Sequence, residues 1–334
     1  MPGGDGISLG QTHGGDLRVG EDHRRHGVVV IDLAVTVQGV LRRDLGAMGG
    51  HVNELIPARD IAGGIDIGPR GAHTLVNGNA AIVTLNRPDK LNAFTYHTLK
   101  EIRSAVDESV ANTDVVGIVI TGNGRGFSAG LDSAVLASVT SGETPSTSAA
   151  NEATDDLPGI FSYLLEVPKP VVAAINGVAA GGGLILALMS DIRIASTKAA
   201  MTTVFLKRGL IAEHGSSWIL PRLVGTGRAL DLLWASDKID AEEALRLGLV
   251  DRLVEPDQLV ADAVAYIEKL AVTSAPAAIA ETKRLVYDHL GKGYREALEE
   301  ANVSQSEFVA RDDAREGAMA LLEKRAPEFR RLGK

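Results

Sequence analysis

Asn176-Gly-Val-Ala-Ala-Gly-Gly-Gly183 follows the apolar run Pro170 to Ile175 and precedes the apolar stretch Leu184 to Met189. That order predicts a buried strand, a tight turn and a helix. A second turn, Phe127-Ser-Ala-Gly-Leu-Asp132, lies in the same way between a strand, Val115 to Thr121, with its glycine-punctuated loop Gly122 to Gly130, and a following helix. Helix starts carry unpaired N–H groups and a partial positive charge, so two such turns facing one another can bind a developing oxyanion. Glycine at a strand-to-helix turn also serves tight packing alone. The residues by themselves leave both roles open. Neither turn matches G-x-G-x-x-G or the phosphate loop ending in Lys-Ser/Thr, which disfavours a nucleotide-phosphate cradle.

Outward from these turns the pattern alternates. Ala80 to Leu85 reads as a strand and Asn86 to Asp89 as a turn, with a helix after Thr95 that sets Leu99, Ile102, Val106 and Val110 on one face. Leu157 to Leu165 reads as a helix and Ile192 to Ala195 as a strand. Ser138 to Asp155 is polar, the composition of a mobile loop or a lid beside a site. Beyond Pro256 strand signals vanish, and helices are expected at 257–272, 276–290, 293–310 and 312–324. Strands alternating with helices give a mixed α/β (α+β) domain, followed by a helical subdomain. Trp218 and Trp234, in apolar helical stretches, are expected in the core.

The 334 residues are 45% hydrophobic and 23% charged, the balance of a globular enzyme. A net charge of −9 disfavours non-specific binding to nucleic acid or an anionic membrane, and 4% aromatic residues argue against a base-stacking or carbohydrate platform. Without cysteine there is no disulfide, thiolate nucleophile or zinc-thiolate site. No apolar run reaches the roughly 20 residues that span a bilayer, and the chain reads as cytoplasmic. Residues 1–71 hold 16 of the 37 glycines, seven arginines and nine acidic residues, with no Lys, Phe, Trp or Tyr. Such a segment anchors no core, lacks the features of a signal or transit peptide, and reads as a disordered or atypical extension. Three units result: 1–71, a core over 72–255, and a helical subdomain over 256–334. His97 and His289 lie on expected helices without a ligand partner at metal-binding spacing, His13, His23 and His26 sit in the extension, and no metal site is expected.

From about His73 onward the chain resembles the crotonase, or enoyl-CoA hydratase/isomerase, superfamily. The resemblance rests on Asn86-Arg-Pro-Asp-Lys-Leu-Asn-Ala-Phe94, Phe127-Ser-Ala-Gly-Leu-Asp132, Lys169-Pro170, Asn176-Gly177 with Gly181-Gly-Gly183, Ser190-Asp-Ile-Arg-Ile-Ala195 and Glu323-Lys-Arg-Ala-Pro-Glu-Phe329. It implies a crotonase-like spiral of strand-strand-helix repeats, with a C-terminal helical subdomain that supports a homotrimer or hexamer. It further implies a coenzyme A thioester of fatty-acid or carboxylic-acid metabolism as substrate, with CoA entering as part of that substrate and no tightly bound cofactor. On matched positions the N–H groups of Leu131 and Gly182 polarise the thioester carbonyl. CoA is expected along Lys90, Leu91 and Ala93 and against Ala129, Gly130 and Asp132, with Phe308 and Lys324 reaching CoA on a neighbouring subunit. An ordinary solvated lysine is the alternative for Lys324.

Hydration of a conjugated double bond needs a base for the water and an acid for the alpha carbon, and the hydratases it resembles use two glutamates. At the matching positions this sequence has Ile185 and Phe205. The nearest remaining carboxylate is Glu213, in Gly209-Leu-Ile-Ala-Glu-His-Gly215. Its position resembles that of the proton shuttle of dienoyl-CoA isomerases and the nucleophilic aspartate of benzoyl-type CoA dehalogenases. A carboxylate in an apolar pocket holds its proton more tightly and suits proton transfer near neutrality. Helix capping is the alternative for Glu213 and the favoured reading of Asp132, while His214 either relays a proton or is a satisfied histidine at a helix entry. One carboxylate fits isomerisation of an enoyl-CoA better than hydration, though hydratase-like chemistry stays open if Glu213 and His214 share the roles. The rivals are an acyl-CoA hydrolase or dehalogenase using Glu213, and a catalytically weakened acyl-CoA binding subunit.

Overall fold

The computed structural model describes residues 71–140 and 157–333. The expectation for 1–71 therefore lies, but for Gly71, outside the described residues. Two sheets and ten α-helices make up what is described. The larger sheet runs in the order β1 (Ala72–Asn77), β2 (Ala80–Leu85), β3 (Gly117–Gly122), β5 (Val171–Ile175), β7 (Ile192–Ser196) and β10 (Arg252–Val254). The smaller runs β4 (Gly126–Ser128), β6 (Val178–Ala180), β8 (Ala200–Thr202) and β9 (Ile239–Asp240).

From β3 to β8 the strands alternate between the two sheets. β3, β5 and β7 pair in parallel in one, with Ile120 opposite Ala173 and Ala174 opposite Ile194, while β4, β6 and β8 pair in parallel in the other. Between turns of this spiral lie α1 (Tyr96–Ala111), α2 (Ser133–Thr140) and α3 (Gly182–Leu188). The central strands read as continuous apolar runs because both faces are covered. Ile118 and Ile120 face one core with Phe94, Phe127 and Ile185, whereas Val119, Val172 and Ile194 face a second core closed by α7 (Leu259–Thr273). At Gly117 an added Cβ would stand 2.3 Å from Ile267, so α7 packs directly on the β3 backbone.

Around this frame lie α4 (Ser216–Val224), α5 (Thr226–Ala235) and α6 (Ala241–Leu247), and the tail continues with α8 (Pro276–His289), α9 (Tyr294–Val309) and α10 (Asp312–Glu323). The four closing helices fall within about two residues of their expected bounds, since Pro276 and the glycines at 291 and 293 punctuate them. α8 is pinned to the spiral by a half-buried polar cluster. The Lys283 ammonium meets Asp191 at 2.8 Å and the Leu164 carbonyl at 2.8 Å, and the Tyr287 hydroxyl donates to Asp191 at 2.9 Å.

Some expectations are corrected. Leu157 to Leu165 is no α-helix: only Ser162–Leu165 forms a 3-10 turn, because Gly159 holds a φ of +118° that no helix accommodates. α2 runs to Thr140 and takes the first residues of the polar 138–155 stretch, the rest of which lies outside the described residues. β1 had no clear signal because it is an edge strand with Thr74 and Val76 exposed, and three-residue strands such as β4 and β6 are too short to show a period. Trp218 is half-buried beside Arg222, but Trp234 is 64% exposed on the outer face of α5 and is not core.

Lys169 is 2% exposed, and its ammonium donates to the carbonyls of Ser109 at 3.0 Å and Asn112 at 2.7 Å, closing the C-terminal end of α1. Burial pushes this lysine down to about 8 from the usual 10.5. Lys169→Met should cost about 2 kcal/mol in denaturant unfolding at neutral pH, the scale of charge-assisted hydrogen bonds to buried carbonyls. A lysine depressed in the fold binds fewer protons there than in the unfolded chain between about 8 and 10.5, so its contribution is full above that window and falls as pH drops through it. The stability gap between wild type and Lys169→Met should therefore widen from pH 8 to pH 10.

Candidate active site

The two glycine turns meet backbone to backbone. Gly130 holds a φ of +84°, and a Cβ there would lie 2.7 Å from the Ala180 carbonyl oxygen and 3.0 Å from the Gly182 nitrogen. A Cβ on Gly183 would stand 2.2 Å from the Ser128 carbonyl oxygen. The turns touch because neither carries a side chain at these positions.

A short extended segment fixes the first turn. Phe94 N–H donates to the Gly130 carbonyl at 2.7 Å and Asp132 N–H to the Phe94 carbonyl at 2.9 Å, a parallel bridge that brackets Leu131. Ala129 N–H donates to the Leu91 carbonyl at 2.9 Å. Leu131 N–H takes no partner among the described residues. Alternation along an extended chain turns it away from the 91–94 segment. Gly182 N–H opens α3, where the first amides have no partner inside the helix.

Asn92 organises the segment. It is 2% exposed in the left-handed region at φ +56°, and its side-chain amide donates to the carbonyls of Asn123 at 2.9 Å and Gly126 at 2.8 Å. Its side-chain oxygen accepts Arg87 N–H at 2.8 Å and its carbonyl accepts the Ser128 hydroxyl at 2.8 Å. Asp132 splits its carboxylate between Ala134 N–H at 3.0 Å and the Arg87 guanidinium at 3.0 Å. The Ala134 amide foremost, and Arg87 after it, hold this carboxyl below the usual range. Arg87, Asn92 and Ser128 all fall inside or beside the motifs of the sequence. Their roles were missed because side-chain bonds to distant carbonyls leave no periodic trace.

The other anticipated residues distribute unevenly. Lys90 is exposed, Leu91 half-buried at φ +50°, and Ala93 buried, all on the segment that faces Ala129 and Gly130. Ile185 is fully buried and Phe205 is 5% exposed, its ring 3.9 Å from where a Cβ on Gly181 would lie. Both are apolar side chains of the same buried core. From Phe205 the chain bends so that Leu210 N–H donates to its carbonyl, then returns against α3 at Gly215, where a Cβ would lie 2.8 Å from Met189.

Glu213 and His214 ride on this loop. Their side chains are 35% and 31% exposed and 4.0 Å apart, so Glu213 does not sit in an enclosed apolar pocket. Burial pushes the His214 imidazole below its usual value, with Glu213 opposing. The carboxylate of Glu213 does not cap α4. Only its backbone carbonyl takes part there, accepting Ser216 N–H at 3.0 Å, and the cap position is Gly215 in the left-handed region.

Phe308 and Lys324 make no hydrogen bond or ion pair to the 90–93 or 129–132 segments within this chain. Phe308 instead lines a cavity of about 990 Å³ with Met189, Gly215 and Trp218, and Lys324 ends α10 at φ +54°. His97 does have a carboxylate one turn on, Glu101 at 3.3 Å, against the expectation of none, and His289 lies 3.3 Å from Glu300. Among the described residues no group of three His, Asp or Glu side chains could hold a metal ion.

The profile of the family described as enoyl-CoA hydratase/isomerase matches residues 76–331. A short-chain-enoyl-CoA hydratase of Clostridium acetobutylicum is 33% identical over 252 residues, 75% of this chain and 94% of its own length. A protein of Mycobacterium leprae named probable enoyl-CoA hydratase is 36% identical over 261 residues, 76% of this chain and 96% of its own length. The crystal structure of an enoyl-CoA hydratase from Bacillus anthracis superposes with a TM-score of 0.72 at 26% identity, covering 78% of this chain and 99% of that one. With a family profile spanning most of its length and relatives above 30% identity covered almost end to end, the chain belongs to the enoyl-CoA hydratase/isomerase family and is an enzyme with the crotonase fold.

Proposed function

We propose that this enzyme moves a proton between two carbons of an enoyl-CoA thioester, isomerising its double bond. The N–H groups of Leu131 and Gly182 hold the thioester oxygen, and Glu213 acts as the single acid–base group. The observation that carries this reading is two touching backbone turns together with buried, apolar Ile185 and Phe205 at the positions where the resemblance to hydratases would put two glutamates. Two backbone donors stabilise an enolate oxygen in a water-poor site. With the enolate stabilised, abstraction at one carbon and return at another need one carboxylate, because the same group becomes the acid once it has taken the proton. Hydration needs a second group to activate water, and at 185 and 205 there is only hydrocarbon.

Relatives named as enoyl-CoA hydratases support an enoyl-CoA as substrate class. CoA enters with the substrate along Lys90, Leu91 and Ala93, and no separate cofactor is required for a proton transfer. Glu213 is a third exposed beside His214, whose burial disfavours the charged imidazole, and its carboxylate is not tied up in capping α4. The tail supports assembly into a trimer or a pair of trimers. Val303, Val309, Leu321 and Leu322 expose 62–76% of their surface on α9 and α10, apolar area of the kind that marks a protein–protein contact where it is contiguous.

Three measurements test the reading. Glu213→Gln should lower 3-enoyl-CoA isomerisation by about 10²-fold or more while leaving acyl-CoA affinity within a few-fold, the scale of one general acid–base group; equal turnover in the variant, or rapid hydration of crotonyl-CoA by wild type, would overturn it. Gly130→Ala places a methyl against the Ala180 carbonyl in the left-handed region and should cost on the order of 1–3 kcal/mol in stability and most of the turnover. Sedimentation equilibrium should give three or six times the 35.0 kDa chain mass.

A further inference from the structure

We propose that Arg87 is a positioning residue for the reaction: by clamping Asp132 and the Ala93 carbonyl together, it sets the direction in which Leu131 N–H points. The proposal rests on the oxyanion reading above and goes beyond it, to a side chain that touches no reacting atom.

The argument begins with how Arg87 is held. Its N–H donates to Asn92 Oδ1 at 2.8 Å, and its carbonyl accepts Asn92 N–H at 2.8 Å and Lys90 N–H at 3.0 Å. Pro88 follows it and keeps its backbone out of the helical region, at φ −129° and ψ 59°. The root of the side chain is thus fixed by the most buried asparagine of the motif. From there the guanidinium reaches two targets on opposite sides of one bridge. One nitrogen donates to the Ala93 carbonyl, on the 91–94 segment, and another meets the Asp132 carboxylate at 3.0 Å, on the turn that carries Leu131. A planar guanidinium can span both acceptors in a fixed fork, which a lysine ammonium cannot.

Between those two clamped residues lies the bridge of Phe94 to Leu131. Its two hydrogen bonds flank Leu131 without using its N–H. Such a peptide can pivot about its neighbours, and the C-terminal neighbour is Asp132. Asp132 is itself tethered ahead, to Ala134 N–H at the entry to α2, and sideways, to Arg87. Removing Arg87 leaves the forward tether and frees the sideways one. The pair is 25% and 13% exposed, so its contribution to global stability is modest. Geometry is where it matters. A donor displaced by a fraction of an ångström loses its preference for the enolate oxygen over the ground-state carbonyl.

The test uses Arg87→Met and Asp132→Asn, the second keeping the acceptor for Ala134 N–H while weakening the Arg87 pair. Two readouts are needed: kcat and KM for 3-enoyl-CoA isomerisation, and the red shift of 4-(dimethylamino)cinnamoyl-CoA on binding, a chromophoric thioester whose absorption reports polarisation of its carbonyl. Both variants should lose about 10- to 100-fold in kcat with KM within about threefold, less than deletion of a donor outright, and both should show a smaller red shift at saturation. Should Arg87→Met not fold, Asp132→Asn carries the same expectations. A wild-type red shift in folded variants overturns the role of Arg87 and leaves the oxyanion reading intact, whatever happens to kcat. A rise in KM alone overturns it too, making Arg87 a contact for CoA. Absence of any red shift in wild-type protein overturns both.

Discussion

No side chain separates the turn after β4 from the turn after β6. A Cβ on Gly183 would lie 2.2 Å from the Ser128 carbonyl, and one on Gly177 would lie 2.1 Å from that of Arg125. These approaches let successive rungs of the smaller sheet stack with α3 starting where it does. They also bring the N–H of Gly182 beside Gly130. Packing and site geometry are one constraint, since the separation that lets the spiral close also sets the distance between two amide donors.

That constraint is met by polar side chains bonded to backbone at long sequence range. Asn92 gathers carbonyls from residues 123 and 126 and the hydroxyl of Ser128, all while sitting in a left-handed conformation that asparagine tolerates better than most residues. Buried amides of this kind are costly if left unpaired and rigidify when satisfied. The active-site turn is therefore stiff on the side of the spiral. The loop that carries Glu213 holds three left-handed residues of its own, Gly209, His214 and Gly215.

Much of this was legible from residues alone. The glycine turns, the central strands and the four closing helices all left strong signals: apolar runs buried on both faces, and helices bounded by proline and glycine. The failures share a physical cause. β4, β6 and β8 hold three residues each, too few for alternation, and Leu157 to Leu165 looked helical by apolar content although Gly159 forbids it. The meeting of the two glycine turns was readable because it depends on backbone alone, as at Gly130 and Gly182. The site was opaque where a role depends on side-chain reach, as with Arg87 spanning to Asp132, 45 residues away. Trp234 misled in the opposite sense, its apolar neighbours belonging to the other face of α5.

The cluster of Lys283, Tyr287 and Asp191 has a bearing on how the chain is made. Asp191 also accepts Val171 N–H at 2.8 Å, so the rim of the central sheet shares its carboxylate with a helix synthesised 92 residues later. During translation the sheet emerges first, with an acidic group at its edge and no cation to meet it. Only when α8 clears the ribosome does the ammonium arrive to neutralise that edge and take up the Leu164 carbonyl. The contacts that fasten α8 to the spiral therefore form only after the strands they join have been made.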